Sequence, residues 1–334
     1  MRKIAILGGG SWGTALAIVL SRSRRAHDLS LWVHDSALAT SLRRDRENGI
    51  YLPGHLLPAS IEVMPQVQDA VAGAEIIVGA VPAAYARGVY SAAMSHVRPE
   101  VIVVSGTKGL EPSSHKRMSE VISEVFVRRS ASRVAVLSGP SFAAEVARGE
   151  PTAVVIAAED PALAAEVQQE FAAPHFRLYT NDDVLGVELA GAMKNVVAIA
   201  AGVCQGLGLG ANSLAALITR GLAEMSRLAA ALGAHPETLS GLAGLGDLVL
   251  TCTGSLSRNR HVGFELGKGR ALRDIVSGTR MIAEGVSTTG ALLKLAEPAK
   301  VELPITDQVD AILHHGKDPR EAIRDIMERP LKRE

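Results

Sequence analysis

Residues 3–7, KIAIL, run without a break into GGGSWGTALA. The first five are mostly apolar and suit a buried strand, the glycines suit a tight turn, and the alanine-rich stretch from Ser11 suits a helix. Within the turn, Gly8, Gly10 and Gly13 form G-x-G-x-x-G. That spacing alone says little, but between a first strand and a helix it predicts a dinucleotide-binding turn. Glycines let the backbone approach a pyrophosphate with no side chain in the way. The phosphate then meets unpaired N–H groups at the helix N-terminus. The plainer alternative is a tight strand-to-helix turn that binds nothing.

The first half continues the alternation. Strand-like LSLWV, EIIVGAV, EVIVVSG, RVAVLSG, TAVVIAA and FRLYT are interleaved with helical patterns near Tyr85, near Ser113 and from Pro161. Strands apolar along their length, each followed by a helix, predict a parallel sheet covered on both faces. Asp160-Pro161 is a helix start, a capping side chain followed by proline at the first helical position. After about Thr180 the strand runs stop. Helical patterns occupy 183–203, 212–232 and 284–297, and Asp318-Pro319 opens a last helix with Glu321 placed to complete a capping arrangement. The expected organisation is therefore an α/β Rossmann-like, doubly wound sheet over residues 1–181, followed by an all-α domain over 182–334.

Composition narrows the function. The 35 basic and 35 acidic residues balance, so nothing suggests nucleic acid as a partner. Cys204 and Cys252 lack metal or redox spacing; no metal is expected, and a reduced, cytoplasmic compartment fits them. A strand beginning at Lys3 leaves no room for a leader peptide, and none is expected. At 334 residues, two domains are the default. Whether the chain is a monomer or a homodimer stays open, although the apolar helical half offers a surface for a homodimer.

One segment is unusually greasy. In VLGVELAGAMKNVVAIAAGV, residues 184–203, only Glu188, Lys194 and Asn195 interrupt a run of apolar residues and glycine. Its length would cross a membrane, but its internal polar set and small residues predict the buried core helix of a large domain, with no membrane insertion. An unpaired buried ammonium is costly, so Lys194 needs a reason. It could snorkel, or form a buried salt bridge, with Glu188 a candidate at a spacing of six that suits a helix poorly. It could also give a proton in a ketone reduction, since lysine titrates readily when desolvated.

Three further stretches carry chemistry. GLAGLGDLVLTCTGSLSRNR places Asp247, Ser257, Arg258, Asn259 and Arg260 in an otherwise apolar, glycine-rich context. Arginine with adjacent serine and asparagine suits a phosphate or carboxylate; an exposed polar loop is the alternative. SGTKGLE sets Lys108 just after a strand expected to end at the ligand crevice, where an ordinary loop lysine is also common. At the end of LWVHD, Asp35 could hold the ribose of NAD. His34, with Arg43 or Arg44, could instead favour NADP, and both arginines also fit a solvated helix face.

Taken in order, GGGSWGTALA, LWVHD, TKGLE, SGPSFAAEVARGEPTA, AGAMKNVVAIAAG, ANSLAALITRGLAEMSRLAAALGA, GLAGLGDLVLTCTGSLSRNR and LPITDQVDAILHHGKDPREAIRDIM span nearly the whole chain. Together they resemble the bacterial NAD(P)-dependent glycerol-3-phosphate dehydrogenases. The resemblance implies reduction of a phosphorylated triose, dihydroxyacetone phosphate, to sn-glycerol 3-phosphate with NADH or NADPH, feeding phospholipid synthesis. It implies Lys194 as proton donor and acceptor. Lys108 would contact substrate and cofactor, its charge helping to lower the pKa of Lys194, and Gly139 and Ser141 would bind substrate. Asp247 would hold the substrate hydroxyl side or orient Lys194. Ser257, Arg258 and Asn259 would take the phosphate, Arg258 also reaching the cofactor. Gly8, Gly10, Ser11, Trp12, Gly13, His34 and Ala143 would line the dinucleotide, with Ile282 and Glu284 closing over it.

Two stretches depart from the family pattern. The turn before the second strand reads SRSRRAHD where the family has a form like NGH, and VPAAYARGVYSAAM is a loose version of its segment. Both bear on the adenosine end and on cofactor preference. Two other readings use the same residues. A β-hydroxy acid dehydrogenase would put a carboxylate on the anion site, and SRNR speaks against it. A non-catalytic dinucleotide sensor would be free to lose Lys108, Lys194 and Asp247, all of which are present.

Overall fold

The computed structural model describes residues 1–126, 133–278, 282–331 and 333. The chain divides into two compact units, Met1–Glu188 and Leu189–Glu334.

The first unit opens with β1 (Arg2–Leu7), α1 (Ser11–Leu20), β2 (His27–Trp32) and α2 (Ser36–Asp45). A hairpin of β3 (Glu47–Asn48) and β4 (Leu52–Leu56) follows, then β5 (Ile61–Met64), α3 (Val67–Val71), β6 (Ile76–Gly79) and α4 (Ala83–Met94). The unit continues through β7 (Ile102–Ser105), α5 (Met118–Phe126), β8 (Arg133–Ser138), α6 (Ala143–Arg148), β9 (Thr152–Ala157), α7 (Pro161–Phe171) and β10 (Phe176–Asn181). Eight strands form one sheet in the order β10-β9-β8-β7-β6-β1-β2-β5. Strand β1 shows why helices cover both faces. Successive side chains point to opposite sides, so Ile4 and Ile6 join one core with Leu16, Val167 and Phe171. Ala5 and Leu7 join a second core with Ala86, Tyr90 and Phe126.

The expectation of a parallel sheet holds from β5 to β8, in registers such as Ile4↔Leu29 and Ile4↔Ile76. It fails at β9, which runs antiparallel to β8 with Leu137↔Ile156; β10 then runs parallel to β9. An antiparallel neighbour needs no crossover, and the β8–β9 connection instead folds the short α6 against α1. The helix expected near Ser113 begins only at Met118. The residues before it are held as a loop by the Glu111 carboxylate, which accepts the Arg87 Nε and Nη2 N–H groups at 2.9 and 2.8 Å, and by left-handed backbone at His115. The α5 start is then capped from both sides. Glu120 accepts the Arg117 N–H at 2.9 Å and Glu188 accepts the Ser119 N–H at 2.8 Å. Asp160 accepts the Ala162 N–H at 2.9 Å, as the Asp-Pro pair predicts for α7.

The second unit is helical throughout its described residues. The division falls inside α8 (Val184–Gly206), which is followed by α9 (Ala211–Ala231), α10 (Pro236–Ser240) and a π-helical turn at Leu242–Gly246. Then come α11 (Asp247–Thr253), α12 (Arg258–Gly267), α13 (Leu272–Ser277), α14 (Glu284–Ala299), α15 (Pro304–His314) and α16 (Pro319–Met327). Helix α8 is long and apolar enough to cross a membrane, yet 89% of its most apolar window is buried within the protein, as a core helix requires. Its glycines let α12 approach backbone to backbone. A Cβ at Gly202 would stand 1.9 Å from the Arg260 carbonyl oxygen, and one at Gly263 would stand 1.9 Å from that of Ile199. Asp318 caps α16 by accepting the Arg320 N–H at 2.7 Å. The expected return bond from Glu321 is absent among the described residues, where that carboxylate is exposed.

Candidate active site

Strand β1 sits where the chain order reverses, between β2 and β6, which is where open α/β sheets bind ligands. The turn after it is shaped by contact. Gly8 has φ +128°, and a Cβ there would stand 2.6 Å from the Ala80 carbonyl oxygen. A Cβ at Gly13 would stand 1.9 Å from the Gly8 carbonyl oxygen, and one at Gly9 would stand 2.8 Å from the Val33 methyls. At Gly10 a Cβ would meet nothing within 4 Å, and the Gly10 N–H has no acceptor among the described residues. The outer glycines thus let strand and helix close together, while the middle one leaves an open cradle at the N-terminus of α1. The Trp12 indole N–H, on the same helix, is buried against Gly106 without a partner. An open cradle with an unspent donor fits a dinucleotide phosphate.

Past β2, His34 is exposed, with its ring 5.7 Å from that of Trp32. Asp35 is occupied as the cap of α2, accepting the Ala37 and Leu38 N–H groups at 2.9 and 3.1 Å. Arg43 donates to the Val63 carbonyl and Arg44 pairs with Asp45, so both have structural work on or beside α2. At the ends of β7 and β8, Lys108, Gly139 and Ser141 come together. The Lys108 ammonium donates to the Gly139 carbonyl at 2.8 Å and to the Ser141 hydroxyl at 3.4 Å. The same hydroxyl donates to the Gly139 carbonyl at 2.9 Å. Gly139 has φ +123°, a conformation that favours glycine. Ala143 opens α6 and packs on the core beneath it.

In the helical unit, Lys194 is 6% exposed and Asp247 1%. The Lys194 ammonium donates to Asp247 Oδ1 at 2.7 Å and to the Thr251 hydroxyl at 2.8 Å. Thr251 donates in turn to the Asp247 carbonyl at 2.6 Å. Asp247 follows directly on the π-helical turn, a feature often found at functional sites. That turn is forced at Gly244, where a Cβ would lie 2.1 Å from the Leu239 carbonyl oxygen. The salt bridge considered for Lys194 therefore exists, but Glu188 is not its partner. Glu188 bonds Arg117 at 2.9 Å and the Ser119 hydroxyl at 2.5 Å. Burial nonetheless pushes its pKa up, against the pull of Arg117. Cys252, the neighbour of Thr251, is held as a thiol because burial pushes its pKa up to about 12.

Ser257 caps α12, accepting the Arg260 N–H at 3.2 Å. Arg258 leads that helix and has exposed surface, although the surrounding protein strips enough water from its guanidinium to lower its pKa, with Glu284 acting the other way. Among the described residues it makes no hydrogen bond or ion pair. Asn259 is largely committed inward. Its amide donates to Asn195 Oδ1 at 2.8 Å, and its oxygen accepts the Gly285 N–H at 3.0 Å. Ile282 and Glu284 precede Gly285 at the start of α14, Ile282 being exposed. Thr251 and Asn195 are the site residues that sequence reasoning left without a role. The signals were there: Thr251 lies one helical turn beyond Asp247, and Asn195 is the other polar break beside Lys194.

A strand–glycine–helix turn at the reversal of strand order marks the first unit as a dinucleotide-binding fold of the kind nicotinamide-dependent dehydrogenases use. Residues 3–164 match the N-terminal model of the NAD-dependent glycerol-3-phosphate dehydrogenases, and residues 183–324 match the C-terminal model. The chain belongs to this family. It is 54% identical to an NAD(P)+ glycerol-3-phosphate dehydrogenase of Koribacter versatilis, over 99% of this chain and 98% of that one. A relative of the same name from Acidobacterium capsulatum is 52% identical over 99% of both. The crystal structure of glycerol-3-phosphate dehydrogenase from Coxiella burnetii superposes with a TM-score of 0.93 at 39% identity, covering 98% of this chain and 99% of that one.

Proposed function

We propose that this enzyme reduces dihydroxyacetone phosphate to sn-glycerol 3-phosphate with NADH or NADPH, reversibly, in the cytoplasm, as a supply for glycerophospholipid synthesis. Family membership over the full chain supports the substrate. The observation that carries the chemistry is Lys194, buried and held by Asp247 and Thr251 at 2.7 and 2.8 Å.

When bound, a reduced dinucleotide would supply the hydride for the substrate carbonyl carbon. The chain's residues do the rest. Lys194 Nζ gives a proton to the oxygen that becomes the hydroxyl, and takes it back in the reverse direction. Asp247 and Thr251 fix that nitrogen, so the donor is in place before the reaction begins. Arg258, with the N–H groups and Ser257 at the start of α12, binds the phosphate dianion; a guanidinium at a helix N-terminus suits that charge. Asn259 holds the start of α12 to Asn195 and so to the lysine helix. On the first unit, Gly8, Gly10, Ser11, Trp12 and Gly13 hold the dinucleotide, His34 faces its ribose end, and Ala143 lies beside it. Lys108, Gly139 and Ser141 contact the substrate, and Ile282 and Glu284 on the second unit serve the cofactor.

The test is loss of the reduced-nicotinamide absorbance with the purified chain and dihydroxyacetone phosphate, run with NADH and NADPH in parallel. Rapid oxidation that disappears when dihydroxyacetone replaces its phosphate is the expected result. Oxidation indifferent to the phosphate, or none from a protein that binds both cofactors, would remove this substrate.

A further inference from the structure

The β3–β4 hairpin has no part in the roles above, yet one of its side chains reaches the glycine turn. Asn48 is fully buried. Its amide nitrogen donates to the Gly9 carbonyl at 2.9 Å and to the Thr14 hydroxyl at 2.8 Å. Its oxygen accepts the Tyr51 N–H at 3.1 Å, which fixes the end of the amide that faces the turn. Both donors are therefore spent on the turn and the first helix, and Thr14 is itself fully buried.

The consequence follows from peptide geometry. The Gly9–Gly10 peptide is trans, so its C=O and N–H point in opposite directions. Pinning the Gly9 carbonyl toward the hairpin aims the Gly10 N–H away from it. That N–H has no acceptor among the described residues, and Gly10 stands in open space. Gly9 has no Cβ to hinder rotation of this peptide, and among the described residues the Asn48 amide makes the peptide's only hydrogen bond. We propose that Asn48 is a positioning residue for dinucleotide binding: the hairpin amide sets the Gly9–Gly10 peptide so that its N–H is presented to the pyrophosphate. This rests on the dinucleotide-binding role proposed above for the turn.

The test is equilibrium binding of NADH to the purified full chain, read by nucleotide fluorescence. Asn48→Asp keeps the size of the side chain and the acceptor for Tyr51, but sets an oxygen against the Gly9 carbonyl. It is expected to weaken NADH binding about tenfold or more, while the KM for dihydroxyacetone phosphate at saturating NADH changes less than about twofold. Asn48→Ala serves if the aspartate variant is too unstable to purify, with the same expectation. Glu47→Ala is the control. It removes the hairpin's own bond to the Gly54 N–H, at 2.7 Å, and a charge acting on His55 in the same hairpin, and should leave NADH affinity unchanged even as Tm falls. Wild-type affinity in the Asn48 variants would overturn the proposal. So would a loss of affinity in Glu47→Ala matching theirs, since hairpin stability alone would then account for it. A wild-type chain that binds no dinucleotide would instead refute the dehydrogenase reading, and this inference with it.

Discussion

At the scale of single residues, three buried charges are tolerated because each has partners in hydrogen-bond contact. Lys194 has Asp247 and Thr251, Glu188 has Arg117 and Ser119, and Glu224 accepts the Ile305 and Thr306 N–H groups at 2.8 and 2.9 Å. The direction of each pKa shift then depends on whether burial or the partner prevails. Burial prevails at Glu224 and Glu188, raising both. At Glu111 the Arg87 guanidinium prevails and holds the carboxyl below the usual glutamate range. A depressed carboxylate contributes stability that is fully present above the unfolded value, about 4.3, and is lost as the pH falls through the lower folded value. Replacing Arg87 with alanine should therefore lower the urea midpoint at neutral pH. The gap to wild type should shrink as the pH is taken below about 4. A gap that stays constant across that range would show that the ion pair contributes nothing through titration. Lys194 was legible as a misfit in an apolar run. Thr251 was legible only by its place one turn beyond Asp247; its bond to Lys194, 57 residues away, was not.

At the scale of elements, the strand–turn–helix at the start was legible because each glycine has a contact that demands it, or, at Gly10, an opening. The reversal of β9 was not legible. TAVVIA is apolar enough for a buried strand running either way, and direction is set by a connection whose helix is only six residues long. The hairpin was also missed, since Leu52–Leu56 contains Pro53 and Gly54 and reads as a turn. In the second unit, the glycines of α8 read only as apolar filler, but they set how near α12 can come. Gly202 and Gly206 face the backbone of α12, and Gly263 and Gly267 face that of α8. Gly263→Ala would push a methyl into the Ile199 carbonyl and force the helices apart, at a cost of about 1–3 kcal/mol. Because α12 begins with Arg258 and α8 carries Lys194, the same change should raise the KM for dihydroxyacetone phosphate. Thermal unfolding alongside steady-state kinetics checks both, and an unchanged Tm would mean the contact yields without strain.

At the scale of the whole molecule, the proposed function would draw on residues from both units. The α/β unit would offer the glycine turn as the dinucleotide cradle, and it holds the Lys108–Gly139–Ser141 cluster. The helical unit would offer Lys194 as the proton donor and a helix N-terminus led by Arg258. The order of motifs along the chain was enough to suggest this, because each function is built from a local stretch and its neighbours in sequence. What the sequence could not show was the bonding that holds those stretches in place, which depends on pairs such as Asn48 with Gly9 and Asn259 with Asn195, 39 and 64 residues apart. The central claim is that Lys194 moves the proton, and the most direct measurement is the turnover of Lys194→Ala with saturating dihydroxyacetone phosphate and NAD(P)H, alongside its dinucleotide affinity. Near-normal NAD(P)H binding and a kcat lower by about 10²–10⁴-fold are expected. A variant that binds the dinucleotide and turns over at close to the wild-type rate would contradict that claim.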